Sequence, residues 1–127
     1  RKTEANKRSL IGEEELWSHM VTRQIMDTAG FEVCGVTTSG EEAVELAKSL
    51  KPDMILMDIK LENEMDGITA MELIHEFAKI PVVYLSGNSD EVTRRRIDET
   101  SYLQFFTKPV DYQKLTELMH AFFNGQK

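Results

Sequence analysis

The stretch KPDMILMDIKLENEMDGI, residues 51–68, decides the fold, because an uninterrupted apolar run within it ends abruptly in a carboxylate. Four consecutive apolar residues, 54–57, come directly before Asp58. A short apolar run without alternation is typical of a central parallel strand that is buried on both faces. Lys51-Pro52 before it signals the end of a helix, and Asp66-Gly67 after it signals a turn and the start of another.

Strands and helices alternate along the rest of the chain as well. Ser39, with Glu42 three residues later, is a capping-box signature for the helix that ends at Lys51. Strands are predicted at 9–11, 31–36, 53–57, 81–85 and 103–107, and further helices at 15–29, 67–79, 89–99 and 111–123. Five strand–helix units predict an α/β fold, (βα)5, with a doubly wound parallel sheet in the order 2-1-3-4-5.

Length and composition indicate one domain that binds neither nucleic acid nor membrane. The chain has 127 residues, of which 41% are hydrophobic, so it can bury a sizeable core. It carries 15 Lys and Arg against 22 Asp and Glu, and a net charge of −7 repels a phosphate backbone. No apolar run is long enough to span a bilayer. A single cysteine, Cys34, fits a reducing, cytoplasmic setting.

Residues 1–8 are polar and lack periodicity, so we predict a disordered arm or linker there and one domain over 9–125. The start at Arg1 rather than Met suggests a piece of a longer protein. Trp17 lies on the predicted inner side of the first helix and is assigned to the core.

Polar side chains follow four of the predicted strands. Glu13 to Glu15 follow the first strand, Asp58 the third, Ser86 the fourth and Lys108-Pro109 the fifth. Each alone has an ordinary structural explanation, such as a helix cap or a turn. Parallel strands, however, end at the same edge of the sheet, where ligands bind at the point of strand-order reversal. We therefore expect these groups to converge.

The chemistry of such a cluster points to phosphoryl transfer. Neighbouring carboxylates repel one another, so they favour a proton or a hard divalent cation such as Mg²⁺ or Mn²⁺. A carboxylate beside the cation can attack a phosphoryl donor and form an acyl phosphate. The ammonium of Lys108 and the hydroxyl of Ser86 would balance the charge of the transferred group.

The segments LIGEEE, PDMILMDIKL…MDG, PVVYLSG and FFTKP occur in an order that resembles the receiver domain of response regulators, the CheY-like module of two-component signalling. The resemblance covers roughly residues 9–123. It implies a flavodoxin-like three-layer sandwich and the Mg²⁺-dependent transfer of a phosphoryl group from a phosphohistidine to Asp58. It also implies a signalling switch that promotes only its own phosphorylation and dephosphorylation.

The resemblance implies a metal site at the phosphoacceptor. In this family pattern Glu14 would bind Mg²⁺ directly, Glu13 largely through water, and the backbone carbonyl of Lys60 would be a further ligand with Asp58. The family commonly has Asp at the position of Glu14. The loop from Asp58 to Asp66 is also one residue longer than usual and lacks the usual proline.

The resemblance implies a switch too, in which phosphorylation of Asp58 changes the surface formed by the helix at 89–99 and the strand at 103–107. Ser86 would bind the phosphoryl group, Lys108 would be the invariant lysine, and Pro109 would follow it through a cis peptide bond. Phe105 stands at the aromatic switch position, where its ring lacks the hydroxyl of the commoner tyrosine. Asn88, two past Ser86, stands where residues tune the lifetime of the phosphoryl group.

The partners implied are a histidine kinase or phosphotransfer protein, a covalently linked output domain and a second copy of the chain as a homodimer. Three alternatives stay open. An Asp-nucleophile phosphatase would want a second acid where Lys60 stands. A flavodoxin-like cofactor binder would need a phosphate loop where GEEE repels phosphate. A receiver-shaped interaction module that is not phosphorylated is suggested only by Glu14.

Overall fold

Five strands alternate with five helices in the described part of the chain. In the computed structural model the described residues are 7–87 and 90–125. The strands are β1 (Arg8–Gly12), β2 (Glu32–Thr37), β3 (Met54–Asp58), β4 (Val82–Ser86) and β5 (Gln104–Thr107). The helices are α1 (Leu16–Ala29), α2 (Gly40–Leu50), α3 (Gly67–His75), α4 (Glu91–Asp98) and α5 (Tyr112–Asn124). The predicted α/β alternation is confirmed.

The strands form one parallel sheet in the order β2-β1-β3-β4-β5, as predicted. All five residues of β3 are buried, and so are all five of β4, because helices cover both faces of the sheet. The order reverses between β1 and β3. The ends of these two strands therefore border the crevice where the polar residues were expected.

Two apolar clusters make the structure a three-layer sandwich. Ile55 and Met57 of β3 face the cluster that contains residues of α2, α3 and α4. Met54 and Leu56 point to the opposite face, where they pack with residues of α1 and α5. Alternate residues of one strand thus belong to different layers, as the period of a β-strand requires.

Local sequence signals set most helix ends. Ser39 caps α2 by accepting a hydrogen bond from the Glu42 N–H, so the predicted N-cap is confirmed. The reciprocal half of the capping box is not formed, because the Ser39 N–H donates to the Thr37 hydroxyl, which in turn donates to the Glu42 carboxylate. Gly30 ends α1 in the left-handed conformation, with φ at 93°. The first strand starts at Arg8, one residue before the predicted domain start, because Arg8 pairs with Glu32 of β2. The rest of the predicted arm, residues 1–6, lies outside the described residues.

Helix α3 ends at His75, four residues earlier than predicted. The N–H groups of Glu76 and Phe77 donate to carbonyls three residues back, which tightens the last turn. The chain must then turn toward β4, and Pro81 cannot continue a helix. Nε2 of His75 lies 2.9 Å from the Ile80 carbonyl oxygen and fastens this turn.

The assignment of Trp17 to the core is wrong, because its side chain is 74% exposed. The buried residues of α1 are Thr22 and Met26, four apart on one stripe. Each helical residue turns the chain by about 100°, so a stripe through residues 22 and 26 passes Ser18 rather than Trp17. The described helices include none that is long and apolar enough to cross a membrane.

Candidate functional site

Three charged side chains meet at the carboxyl edge of the sheet. Nζ of Lys108 donates to Oδ2 of Asp58 over 2.7 Å and to Oε1 of Glu13 over 3.0 Å. Asp58 and Glu13 are buried, with relative exposures of 4% and 2%. Two buried carboxylates and one ammonium are therefore held within direct contact.

Strand register explains why residues so distant in sequence converge. Gly12 pairs with Met57, so the turn that carries Glu13 lies beside Asp58. The Lys108 N–H donates to the Ser86 carbonyl over 2.8 Å, which brings the end of β5 level with the end of β4. The Lys108–Pro109 peptide bond is cis.

Gly67 permits the start of α3 to pack closely behind Asp58, the phosphoacceptor candidate. A Cβ added to Gly67 would lie 2.1 Å from the backbone oxygen of Asp58, a distance that no side chain tolerates. The Gly67 N–H donates to the Ile59 carbonyl over 2.7 Å. The start of α3 is thus pressed directly against the end of β3.

The environment of Asp58 disfavours its charge. Burial raises the pKa of Asp58 to about 7, and the adjacent Glu13 carboxyl adds to that effect while Lys108 opposes it. Burial acts to lower the pKa of Lys108, but the hydrogen bonds to Asp58 and Glu13 outweigh it, so this pKa lies above its ordinary value. The lysine stays charged, and one cation serves two carboxyl groups.

The donor chemistry fits a hard divalent cation. Glu13 and Asp58 supply adjacent buried carboxylates whose mutual repulsion a cation would relieve. Glu14 is half-buried and Lys60 exposed at the same edge. Among the described residues no three His, Cys, Asp or Glu side chains are grouped closely enough to hold a metal, so Glu14 does not join Glu13 and Asp58 in such a group.

The other predicted site residues surround this cluster. Ser86 ends β4 and is buried, one strand away from Asp58. Phe105 in β5 is half-buried, and the Arg94 guanidinium carbon of α4 lies 5.6 Å from its ring centroid. Asn88 lies outside the described residues.

The loop between Asp58 and Gly67 is fastened at its middle and at its last residue. The Glu62 N–H donates to the Thr38 carbonyl, and the Thr38 hydroxyl donates to the Glu62 carboxylate, each over 3.0 Å. Asp66 caps α3 by accepting from the Thr69 N–H over 2.9 Å. Sequence patterns gave no signal for the link to Thr38, because its partner lies 24 residues away and both are ordinary polar residues.

A groove of about 490 Å³ opens beside the charged cluster. Its lining includes Glu13 and Lys108 of the cluster and Trp17 and Val21 of α1. Leu16 and Met20 continue the apolar surface of α1, with exposures of 67% and 56%. The predictions missed this surface because they placed the apolar residues of α1 inside.

Comparisons with known proteins agree on one family. The model of the response regulator receiver domain matches residues 10–120. The chemotaxis protein CheY of Thermotoga maritima is 35% identical over 117 residues, which cover 90% of this chain and 95% of that protein. A protein-glutamate methylesterase/protein-glutamine glutaminase of Archaeoglobus fulgidus is 39% identical over 80% of this chain and 30% of its own length.

A solved structure shares the fold. The CheX–CheY–BeF3–Mg²⁺ complex from Borrelia burgdorferi superposes with a TM-score of 0.84 at 27% identity, covering 92% of this chain and 89% of that one. Several of the curated relatives are longer proteins. This chain spans 30% of the methylesterase and 53% of a transcriptional regulatory protein, PdtaR, from Mycobacterium tuberculosis.

Proposed function

We propose that this chain, which belongs to the response regulator receiver domain family of two-component signalling, accepts a phosphoryl group on Asp58 from the phosphohistidine of a histidine kinase or phosphotransfer protein. The observation that carries the proposal is the contact of Lys108 with both Asp58 and Glu13 at the carboxyl edge of the sheet. This arrangement supplies a nucleophile and a fixed positive charge where the phosphoryl oxygens would gather.

In the transfer step, an oxygen of the ionised Asp58 attacks phosphorus while the P–N bond of the phosphohistidine breaks. The bonding electron pair stays on the imidazole nitrogen, which takes up a proton. Lys108 is within hydrogen-bond distance of Asp58 and would shift its ammonium to the new phosphoryl oxygens. The hydroxyl of Ser86, at the end of the neighbouring strand, would bind one of these oxygens.

A bound Mg²⁺ or Mn²⁺ would neutralise the carboxylates and the oxygens of the incoming group. Asp58 and Glu13 would hold it, with Glu14 and the Lys60 carbonyl as further ligands in the family pattern. Residue 14 is a glutamate, one methylene longer than the aspartate common in the family, and its carboxylate would have to turn toward Glu13 and Asp58 to become a ligand. We also propose the family roles for three further residues. Pro109 follows Lys108 through a cis peptide bond, Phe105 is the aromatic switch residue, and Asn88 tunes the lifetime of the phosphoryl group.

The exposed apolar surface of α1 is proposed as the place where the phosphodonor protein docks. Leu16, Trp17 and Met20 lie beside the groove that leads to Lys108 and Glu13. Exposed aromatic anchors of this kind carry much of the binding energy in protein interfaces. We further propose a cytoplasmic setting, a linked output domain, no direct contact with nucleic acid, and a homodimer.

The direct experiment treats the purified chain with acetyl phosphate and Mg²⁺ and measures its intact mass. We expect one phosphate adduct on the wild type and none on Asp58→Asn. Asp27→Asn, an exposed acid on α1, is the matched control and should be phosphorylated normally. An unmodified wild type would favour the interaction module that is not phosphorylated, and an adduct on Asp58→Asn would place the acceptor elsewhere.

A second experiment separates the donor surface from the chemistry. Trp17→Ala should slow transfer from a phosphorylated histidine protein at least about tenfold, as loss of a central interface aromatic does. It should leave the rate with acetyl phosphate unchanged, because Trp17 has no contact with Asp58. Equal loss with both donors would refute the docking surface and leave Asp58 as the acceptor.

A further inference from the structure

Helix α4 has little apolar surface to hold it in place. Ile97 is its buried residue, and Val92 is 66% exposed. A helix of eight residues gains most of its stability from tertiary packing, and here that packing is small. The position of α4 must therefore depend strongly on the polar contacts of its side chains.

Arg96 makes the most extensive of these contacts. Its Nη1 donates to Oδ2 of Asp66 over 2.7 Å and its Nη2 to Oδ1 over 3.2 Å. Nη2 also lies 3.4 Å from the Thr69 hydroxyl oxygen. Two parallel hydrogen bonds between a guanidinium and a carboxylate fix orientation as well as distance. The side chains are 40% and 27% exposed, so water screens the pair only in part.

Asp66, the partner of Arg96, lies in the loop between Asp58 and Gly67, which we call the phosphoacceptor loop. Asp66 caps α3 through the Thr69 N–H, and the next residue, Gly67, is pressed against the Asp58 carbonyl. Burial acts to raise the pKa of Asp66, but the Arg96 and Thr69 hydrogen bonds outweigh it, so the pKa lies below its ordinary value. The carboxylate thus stays charged while it joins α4 to the segment behind Asp58.

We propose that Arg96 is a positioning residue whose ion pair with Asp66 holds α4 against the phosphoacceptor loop in the unphosphorylated chain and opposes the displacement of α4 that phosphorylation would favour. This inference rests on the proposed function of Asp58. A contact made in one of two arrangements stabilises that arrangement alone, so its loss shifts the equilibrium toward the other. The same coupling must make binding at Asp58 tighter when the pair is removed.

The neighbouring arginine provides a matched control. Arg95 pairs with Glu91 one turn earlier on the same helix, and both side chains are more than 70% exposed. Arg95→Gln removes the same charge as Arg96→Gln but leaves every contact with the phosphoacceptor loop intact. Asp66→Asn removes the ion pair from the other side, while an asparagine oxygen can still accept from the Thr69 N–H.

The first measurement is amide hydrogen exchange of the full chain. We expect amides of α4 and of Gly67 to exchange at least about threefold faster in Arg96→Gln and in Asp66→Asn, since a partly exposed bidentate pair contributes modestly. Arg95→Gln should leave the Gly67 amide at the wild-type rate. A Gly67 amide unaffected by Arg96→Gln would overturn the proposal, because α4 and the loop would then not be coupled.

The second measurement titrates beryllofluoride with Mg²⁺, a mimic of a carboxylate-bound phosphoryl group. Arg96→Gln and Asp66→Asn should bind it at least about threefold more tightly than Arg95→Gln. Arg96→Lys, which keeps the charge but loses the bidentate geometry, should fall between them. Unchanged or weaker binding would overturn the proposal. Failure of the wild type to bind would refute the function of Asp58, and hydrogen exchange would still decide the coupling.

Discussion

Helices α3 and α4 begin alike and are held in place differently. Asp66 and Asp90 cap them in the same way, each accepting from the N–H of a threonine three residues later, over 2.9 Å and 2.8 Å. Yet α3 buries five of its nine residues, whereas α4 buries one of eight. Equal caps therefore do not give equal anchoring.

The difference assigns separate tasks to the two helices. Apolar burial is non-directional and cannot be released by a change of charge nearby, so α3 forms a fixed wall behind Asp58. The arginine contacts of α4 are directional and electrostatic, so events at the site can strengthen or break them. One helix positions the acceptor, and the other is free to respond to it.

The largest change in stability is expected when one buried side chain of α3 is shortened. Ile74→Ala should lower the free energy of unfolding by about 2–5 kcal/mol, because Ile74 is fully buried and leaves a cavity. Val92→Ala in α4 is the counterpart and should cost less than about 0.5 kcal/mol. Urea unfolding measures both. Similar losses would mean that α4 is as firmly packed as α3.

The next test compares two glycines. Gly67 is the first residue of α3, and Gly87 lies shortly before α4. Gly67→Ala should destabilise the fold by about 1–3 kcal/mol, since its Cβ would collide with the Asp58 carbonyl. Gly87→Ala, on the α4 side, meets nothing within 4 Å and should be neutral within about 1 kcal/mol. A harmless Gly67→Ala in thermal unfolding would show that α3 can yield.

The third test concerns the charge of Asp58, the residue that α3 positions and to which α4 is expected to respond. Its folded pKa of about 7 lies above the value of about 3.9 in unfolded chains, so the folded state holds an extra proton between these pH values. The contribution of Asp58 to the free energy of unfolding is therefore fully present below pH 4, and it is lost as the pH rises through 7. Asp58→Asn should escape this loss and be more stable than wild type by roughly 1–3 kcal/mol at pH 8.

The pH dependence supplies the control for that experiment. The advantage of Asp58→Asn in melting temperature should shrink as the pH falls from 7 to 4, with Mg²⁺ absent throughout. Asp27→Asn, at an exposed position, should show no such trend. A constant difference across the range would contradict the raised pKa of Asp58.

The smallest effect concerns the second arginine contact of α4. Arg94→Gln removes the guanidinium that lies over the Phe105 ring and should cost about 0.5–1 kcal/mol, as exposed cation–π contacts do. The loss should appear as faster amide exchange in α4 and leave α3 protected. Equal changes in both helices would mean that α4 does not open separately.

The sequence was most informative where one physical requirement dominates. The apolar runs at β3 and β4 can be satisfied only by strands covered on both faces, and the carboxyl ends of such strands must meet. Asp58, Lys108 and Glu13 could therefore be predicted to converge without any knowledge of contacts. The pattern of the chain carried this much of the site.

Contacts between distant polar residues could not be predicted in this way. Asp66 and Arg96 are 30 residues apart, and nothing in either neighbourhood specifies the other. Trp17 was misplaced because a helix with apolar residues at both 16–17 and 20–21 offers two possible inner faces, and packing selects the stripe through Thr22 and Met26.

The exposed indole of α1 also makes the protein its own optical probe. The chain contains one tryptophan, and it lines the groove that includes Glu13 and Lys108. Indole emission shifts to shorter wavelengths when water around the ring is replaced by protein. Covering of α1 by another molecule can thus be followed by fluorescence in real time, without a dye and without a competing signal from a second tryptophan.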